Sequence, residues 1–224
     1  MKKRLLLLLP GMLLLAGSAE AQFEKGTKYW GATISFDGEF SRSENEFDKS
    51  EVTKNGNPTI APEAQLGWFI SRKTMLGVGL KYGLDYQKND QRPGDFYNKN
   101  LRQSLQLLPF IRQYYSLGDR WSLLIHGELG PQYTWSKNKN GGLYPSTSKS
   151  DHWQYGLAVK PGVVYTFPNK KWSIEAYTNF LSFNFSYVPY PDDGGREFQF
   201  GTGFNTNFPS YFSIRIARYI QPKN

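Results

Sequence analysis

Residues Trp153 to Phe167 (WQYGLAVKPGVVYTF) put Trp, Tyr, Leu, Val, Pro, Val, Tyr and Phe at every odd position, with Gln, Gly, Ala, Lys, Gly, Val and Thr between them. A two-residue period held this long marks a strand with one apolar and one polar face. The run outlasts the roughly five or six residues of an ordinary soluble strand. Aromatic residues crowd both ends of its apolar face, as at the two edges of a bilayer. The pattern predicts a transmembrane β-strand, and it recurs about eight times along the chain.

The other expected strands are Tyr29 to Phe40, Ile60 to Ile70, Leu76 to Tyr86, Leu101 to Tyr115, Trp121 to Trp135, Trp172 to Tyr187 and Tyr211 to Ile220. In the seventh the apolar phase slips at Phe180-Leu181, which predicts a bulge. Three connections are short: Ser71 to Lys73, Leu117 to Arg120 with its Gly118-Asp119, and Pro168 to Lys171. The alternate ones, near 41–57, 87–100, 136–150 and 188–208, are long and polar and are expected to be loops. Gly194 to Pro209 suits either part of the fourth loop or an extension of the last strand.

Outer-membrane barrels keep short turns in the periplasm and long loops outside, so both termini are expected in the periplasm. The expected fold class is therefore all-β, an eight-stranded antiparallel up-and-down transmembrane β-barrel whose backbone groups are paired by closure of the sheet. A soluble β-sandwich would need its second face covered and would not favour apolar faces this long and aromatic-ended.

The first residues agree with export. Lys2, Lys3 and Arg4 precede an apolar run from Leu5 to Leu15 and the small-x-small pattern Ala19-Glu20-Ala21. The apolar run is short of the roughly 20 residues of a spanning helix. We expect a signal peptide over 1–21, a barrel domain over 22–224, and the outer membrane of a Gram-negative bacterium as destination. With no cysteine in the chain, lipid anchoring through a thiol, disulfides and thiolate metal sites are excluded.

Taking Lys2, Lys3, Arg4 and Glu20 from the 27 basic and 19 acidic residues leaves 24 and 18, a mild net +6. Basic and acidic residues interleave in SRSENEFDKSE and QKNDQRPGD, which is not the clustered footprint of a nucleic-acid binder. An aromatic content of 17% with a mean hydropathy of −0.57 fits a barrel, in which only alternate residues meet lipid.

An eight-stranded barrel has room inside for little beyond its own side chains. The inward polar set is Glu63, Lys81, Asp85, Arg112, His126, Glu128, Lys160, Glu175 and Arg215, with both signs in near balance, and is expected to form a packed salt-bridge network. Lys160 needs a carboxylate such as Glu128 or Glu175. Trp30, Trp68, Trp121, Trp135, Trp153 and Trp172 are the expected membrane-interface aromatics.

No cofactor, metal site or catalytic residue is expected. Gly77-Val-Gly79-Leu-Lys-Tyr-Gly83 spaces its third glycine one residue late for a dinucleotide fingerprint and no helix follows it. Ser150, Asp151 and His152 are adjacent, but strand neighbours point opposite ways, which argues against a triad. The sequon Asn184-Phe185-Ser186 falls in a wall strand. Asn138 to Gly142 and Asp192 to Gly195 are polar, exposed stretches of the kind on which binding function is grafted.

Pro109 to Tyr115 (PFIRQYY), the turn Leu117 to Trp121 (LGDRW) and His126 to Gly130 (HGELG) resemble the central hairpin of the PorT-like small outer-membrane β-barrel family. Ile174-Glu175-Ala176 and Phe198 to Ile220 resemble its last two strands, although the chain ends on Tyr219-Ile220 and a short tail where the family usually stops on an aromatic. The resemblance implies an eight-stranded barrel of the OmpA/OmpX shape and carries over no catalytic residue. A peptidoglycan-binding domain is not expected.

The expected partners are outer-membrane lipid, the barrel-assembly machinery during biogenesis, and an extracellular or secretion-system protein. The first functional expectation is a non-enzymatic barrel contributing to surface binding, adhesion or envelope integrity. The alternatives are an accessory component of a secretion system, suggested by the family name alone, and a small pore, against which a packed lumen argues.

Overall fold

The computed structural model describes residues 23–44, 52–92, 96–142, 144–178, 183–190, 195–202 and 212–222. The expected signal peptide, 1–21, lies outside them, as do the Phe180-Leu181 slip and Asp192 to Gly194. Every regular element among the described residues is a strand: β1 (Lys28–Glu44), β2 (Val52–Phe69), β3 (Thr74–Arg92), β4 (Phe96–Ser116), β5 (Trp121–Asn140), β6 (Ser146–Thr166), β7 (Trp172–Thr178), β8 (Phe183–Tyr190), β9 (Gly195–Thr202) and β10 (Phe212–Ile220).

All pair antiparallel in one sheet, in the order β5-β4-β3-β2-β1-β10-β7-β6-β8-β9, and the β5–β6 pairing closes it into a ring. The chain is an all-β, antiparallel up-and-down barrel. At the seam β1 and β10 meet with Lys28 opposite Ile220 and Ala32 opposite Ile216. The short turns are tight. Leu117 N donates to Trp121 O at 2.8 Å and Phe167 N to Trp172 O at 2.9 Å, and Gly118 takes a φ of 153° that disfavours a side chain.

Residue parity separates the two faces. On β4, Leu105, Leu107 and Ile111 are exposed while Leu108, Phe110 and Arg112 are buried; on β10, Ile214 and Ile216 are 63% and 56% exposed while Arg215 and Ala217 are buried. An exposed belt of Leu and Ile is costly in water and suited to lipid. At about 3.3 Å per residue and a tilt of roughly 40°, β5 from Trp121 to Tyr133 rises about 30 Å, a bilayer's hydrocarbon thickness.

Two expectations are corrected. The polar stretches expected as loops are largely strand: β1 and β2 stay paired out to Glu44 opposite Val52, β3 and β4 to Gln91 opposite Phe96, and β5 and β6 to Asn140 opposite Ser146. Above the lipid both faces are wet, so the two-residue period disappears from the sequence while backbone pairing continues. The seventh expected strand is two elements, β7 and β8. Between Gly162 and Val159 of β6 the partner advances from Tyr177 to Phe183, twice as far, and this offset reverses the face parity. The eighth expected strand is β10, which pairs with β1 and β7 in the wall, while β9, from the stretch Gly194 to Pro209 that suited either a loop or an extension, is a strand paired antiparallel with β8.

Candidate functional site within the barrel

At the short-turn end the interior is aromatic. Gly26, with φ 89°, turns the chain before β1, and Gly26 N donates to Phe69 O at 2.8 Å while Phe69 N donates to Thr27 O at 2.9 Å. These bonds lay Phe23 across the lumen. Its ring stacks on Tyr219 at 4.2 Å and meets Phe69 at 4.7 Å and Tyr114 edge-on at 5.7 Å. Phe23, Phe69, Tyr114 and Tyr219 are all buried.

Above this cluster lies an ionic network centred on Glu175, which is 0% exposed. Its Oε2 accepts from Arg112 Nη1 at 3.0 Å, Tyr29 Oη at 3.0 Å and Tyr177 Oη at 2.6 Å, and its Oε1 accepts from Tyr219 Oη at 2.9 Å. Arg112 spends its other donors on His126 Nδ1 at 2.9 Å and on Gln65 Oε1. Because Nδ1 accepts from a guanidinium, the His126 ring carries its proton on Nε2 and is neutral. Nε2 then donates to Glu128 Oε2 at 2.8 Å, and Lys160 Nζ donates to the other oxygen of Glu128 at 2.5 Å.

Arg215 connects the far side. It donates to Thr33 Oγ1 at 3.0 Å, Tyr177 Oη at 3.0 Å and Glu63 Oε1 at 2.7 Å, and Gln65 Nε2 also donates to Glu63. Arg112, Arg215 and Lys160 thus face Glu63, Glu128 and Glu175 with no excess of either sign. A buried set with one partner missing would cost about 3–5 kcal/mol. The glycines make room. A Cβ on Gly31 would stand 2.8 Å from Arg215 Cδ, and one on Gly77 2.3 Å from the Phe110 ring.

Lys81 and Asp85, expected in the same network, stand apart from it. Lys81 faces Glu63 across the β2–β3 pair but makes no ion pair among the described residues, and Asp85 accepts from Thr59 Oγ1 at 2.6 Å. Both line cavities, of about 380 Å³ (Lys81, with Gln106, Gln154 and Lys160) and about 280 Å³ (Lys81 and Asp85, with Arg102 and Gln132). The expectation of a packed interior is corrected here: above the network the lumen holds cavities lined by polar side chains, and the space is large enough to solvate a charge.

The six tryptophans fall into two rows. Trp30, Trp68, Trp121 and Trp172 lie by the short turns, Trp30 and Trp172 edge to face at 5.6 Å; Trp135 and Trp153 lie toward the long hairpins, with Tyr133 between them at 5.8 and 5.0 Å. Asp151 accepts from Tyr133 Oη at 2.7 Å on the outer face, while His152 lines a cavity of about 430 Å³ with Arg102, Gln154 and Glu197. The two therefore do not meet as a catalytic pair. No group of three or more metal-ligating His, Asp or Glu side chains occurs among the described residues.

Sequence reasoning missed the polar partners Tyr29, Gln65, Tyr114 and Tyr177, and it placed Tyr219 inward without giving it a partner. Parity places each on the inward face, so the signal was present, but a tyrosine suits a lipid interface as well as a lumen. It also missed Phe23, which lies before any alternation begins.

A closed antiparallel sheet with an apolar belt outside and paired charges inside defines a small membrane-spanning β-barrel. No family model matches the chain, and no curated protein matches it. Among solved structures it is similar to Ail, the attachment invasion locus protein of Yersinia pestis, at 12% identity over 87% of this chain and 98% of that one, with a TM-score of 0.38. It is similar also to Neisserial surface protein A, at 14% identity over 87% and 99% with a TM-score of 0.34. The toluene transporter TodX of Pseudomonas putida follows at 7% identity over 92% and 69%, with a TM-score of 0.27. The architecture rests on the strand pairings and not on these likenesses.

Proposed function

We propose that the chain is a non-enzymatic integral barrel of the Gram-negative outer membrane, plugged at its periplasmic end and presenting its long hairpins outside for surface binding or envelope integrity. The observation that carries this reading is the asymmetry of the interior. Aromatic rings and a charge-balanced network fill the short-turn half, while polar cavities occupy the long-hairpin half. A filled short-turn half supports a binding or structural role over a pore. The PorT-like resemblance accords with a barrel of this size.

The test is planar-bilayer recording on protein purified from outer membranes and checked for heat-dependent gel mobility. The expected result is a heat-shifted band and no stable conductance. Stable openings abolished by Glu128→Gln or Lys160→Met would overturn the plugged reading, and a soluble periplasmic protein without a mobility shift would overturn the barrel placement.

A further inference from the structure

The long-hairpin end of the lumen is lined by side-chain amides arranged in rows. Across β2, β3, β4 and β5 the register sets Asn55 opposite Asn89, Asn89 opposite Asn98, and Asn98 opposite Asn140. One step deeper, Gln87 faces Asn100 and Asn100 faces Asn138. The amides at 55, 87, 89, 98, 100 and 138 line a cavity of about 440 Å³, whose one charged lining residue is Lys88. That volume lies within the roughly 300–1,000 Å³ of small-molecule sites.

These amides do not satisfy one another. Among the described residues their side-chain bonds are Asn55 Nδ2 to Ser41 Oγ and Asn140 Nδ2 to Ser146 Oγ, both long at 3.4 Å. No bond joins one of these amides to another, and Asn138 Oδ1 is buried without a partner. A structural amide ladder would consume its own donors and acceptors; this one leaves them pointed into a cavity. Beside it, Phe96 and Tyr97 border a recess of about 240 Å³ together with Asn89, Asn98 and Asn140. Gly141 and Gly142 leave space for these rings, since a Cβ there would come within 2.1 Å of Tyr97 and 2.6 Å of Phe96.

We propose that this vestibule binds an uncharged carbohydrate, a mono- or disaccharide unit of a neutral glycan. A carboxamide offers two N–H donors and a carbonyl acceptor without net charge. That is the complement of a sugar ring, whose hydroxyls each donate and accept. Two rows of amides one step apart along the same wall can bond several hydroxyls of such a ring, and the neighbouring aromatic faces suit its C–H surface. A phosphate, sulfate or nucleic acid would call for several cations where the cavity has Lys88 alone, and Lys88 is already bonded to Asp90. The inference rests on the outward orientation of the long hairpins proposed above and names the ligand class of that end.

Saturation-transfer-difference NMR on the folded full chain in detergent micelles tests it, with maltose, cellobiose, lactose and N,N′-diacetylchitobiose as probes. The expected result is saturable transfer from at least one disaccharide, weakened tenfold or more by the Asn100→Leu/Asn138→Leu double variant and unchanged by Lys88→Gln. Heat-dependent gel mobility verifies that each variant is folded, and Asn98→Leu alone serves if the double variant is not. No saturable transfer from any of the four sugars overturns the proposal, as does binding that survives the amide substitutions or is confined to a sulfated oligosaccharide such as heparin tetrasaccharide. Neither gel mobility nor bilayer conductance depends on a sugar, so a failure here is distinguishable from a failure of the barrel reading.

Discussion

The two ends of the lumen solve opposite problems with the same strands. At the short-turn end the inward residues are large, aromatic or charged, and nearly every polar atom has a partner: Glu175 alone accepts four hydrogen bonds from three tyrosines and Arg112. At the long-hairpin end the cavity of about 440 Å³ is lined mainly by Asn and Gln, whose amides lie opposite one another across the sheet without bonding. A buried charge that loses its partner is punished severely, whereas a carboxamide in a wet cavity can exchange its bonds with water or a ligand at little cost. One end is thereby committed to stability, and the other is the end for which recognition is proposed.

The largest expected effect comes from removing the centre of the committed end. Glu175→Gln leaves Arg112 and Arg215 without their shared carboxylate and should cost about 3–5 kcal/mol, read as a lower urea midpoint for loss of the heat-shifted band in detergent. An unchanged midpoint would show that the network is not what holds this end. Phe23→Ala should cost about 3 kcal/mol, the lower range for emptying an aromatic site. Unlike Glu175→Gln it should leave the ionic network intact, as seen in a smaller midpoint shift. Gly77→Ala should cost about 1–3 kcal/mol by overpacking against the Phe110 ring and the Leu66 carbonyl; a neutral result would mean that Phe110 can yield. Smallest of all, Asn100→Leu should move the midpoint by no more than about 0.5 kcal/mol, and a loss comparable to that of Glu175→Gln would erase the distinction between the ends.

Within the lipid layer this division was legible in the sequence. One face of each strand must be apolar there, so alternation around Trp153 to Phe167 or Leu105 to Tyr115 reports orientation residue by residue, and it placed Arg112, Glu175 and Arg215 inside together. It could not report which charge meets which. That Lys160 binds Glu128, and not Glu175, depends on a cross-strand register in which His126 lies opposite Lys160, and register is written in pairing and turns more than in composition. Above the lipid the signal vanished because both faces are wet. Asn89, Asn98 and Asn138 read as loop residues, and their alignment into facing rows emerges only from the strand register. The offset between β7 and β8 was foreshadowed by the apolar phase slip.

Thiol accessibility tests the contrast between the two ends most directly, because the chain contains no cysteine to confuse the readout. Asn100→Cys places a thiol in the vestibule, and Ser173→Cys places one at a fully buried site whose hydroxyl has no partner to lose. Intact cells and the folded, purified barrel would each be treated with a small membrane-impermeant methanethiosulfonate. The expected result is rapid modification of Asn100→Cys in both settings and modification of Ser173→Cys only after heat denaturation. Equal reactivity of the two thiols in the folded barrel, or protection of Asn100→Cys in intact cells, would contradict a lumen sealed at one end and open to the outside at the other.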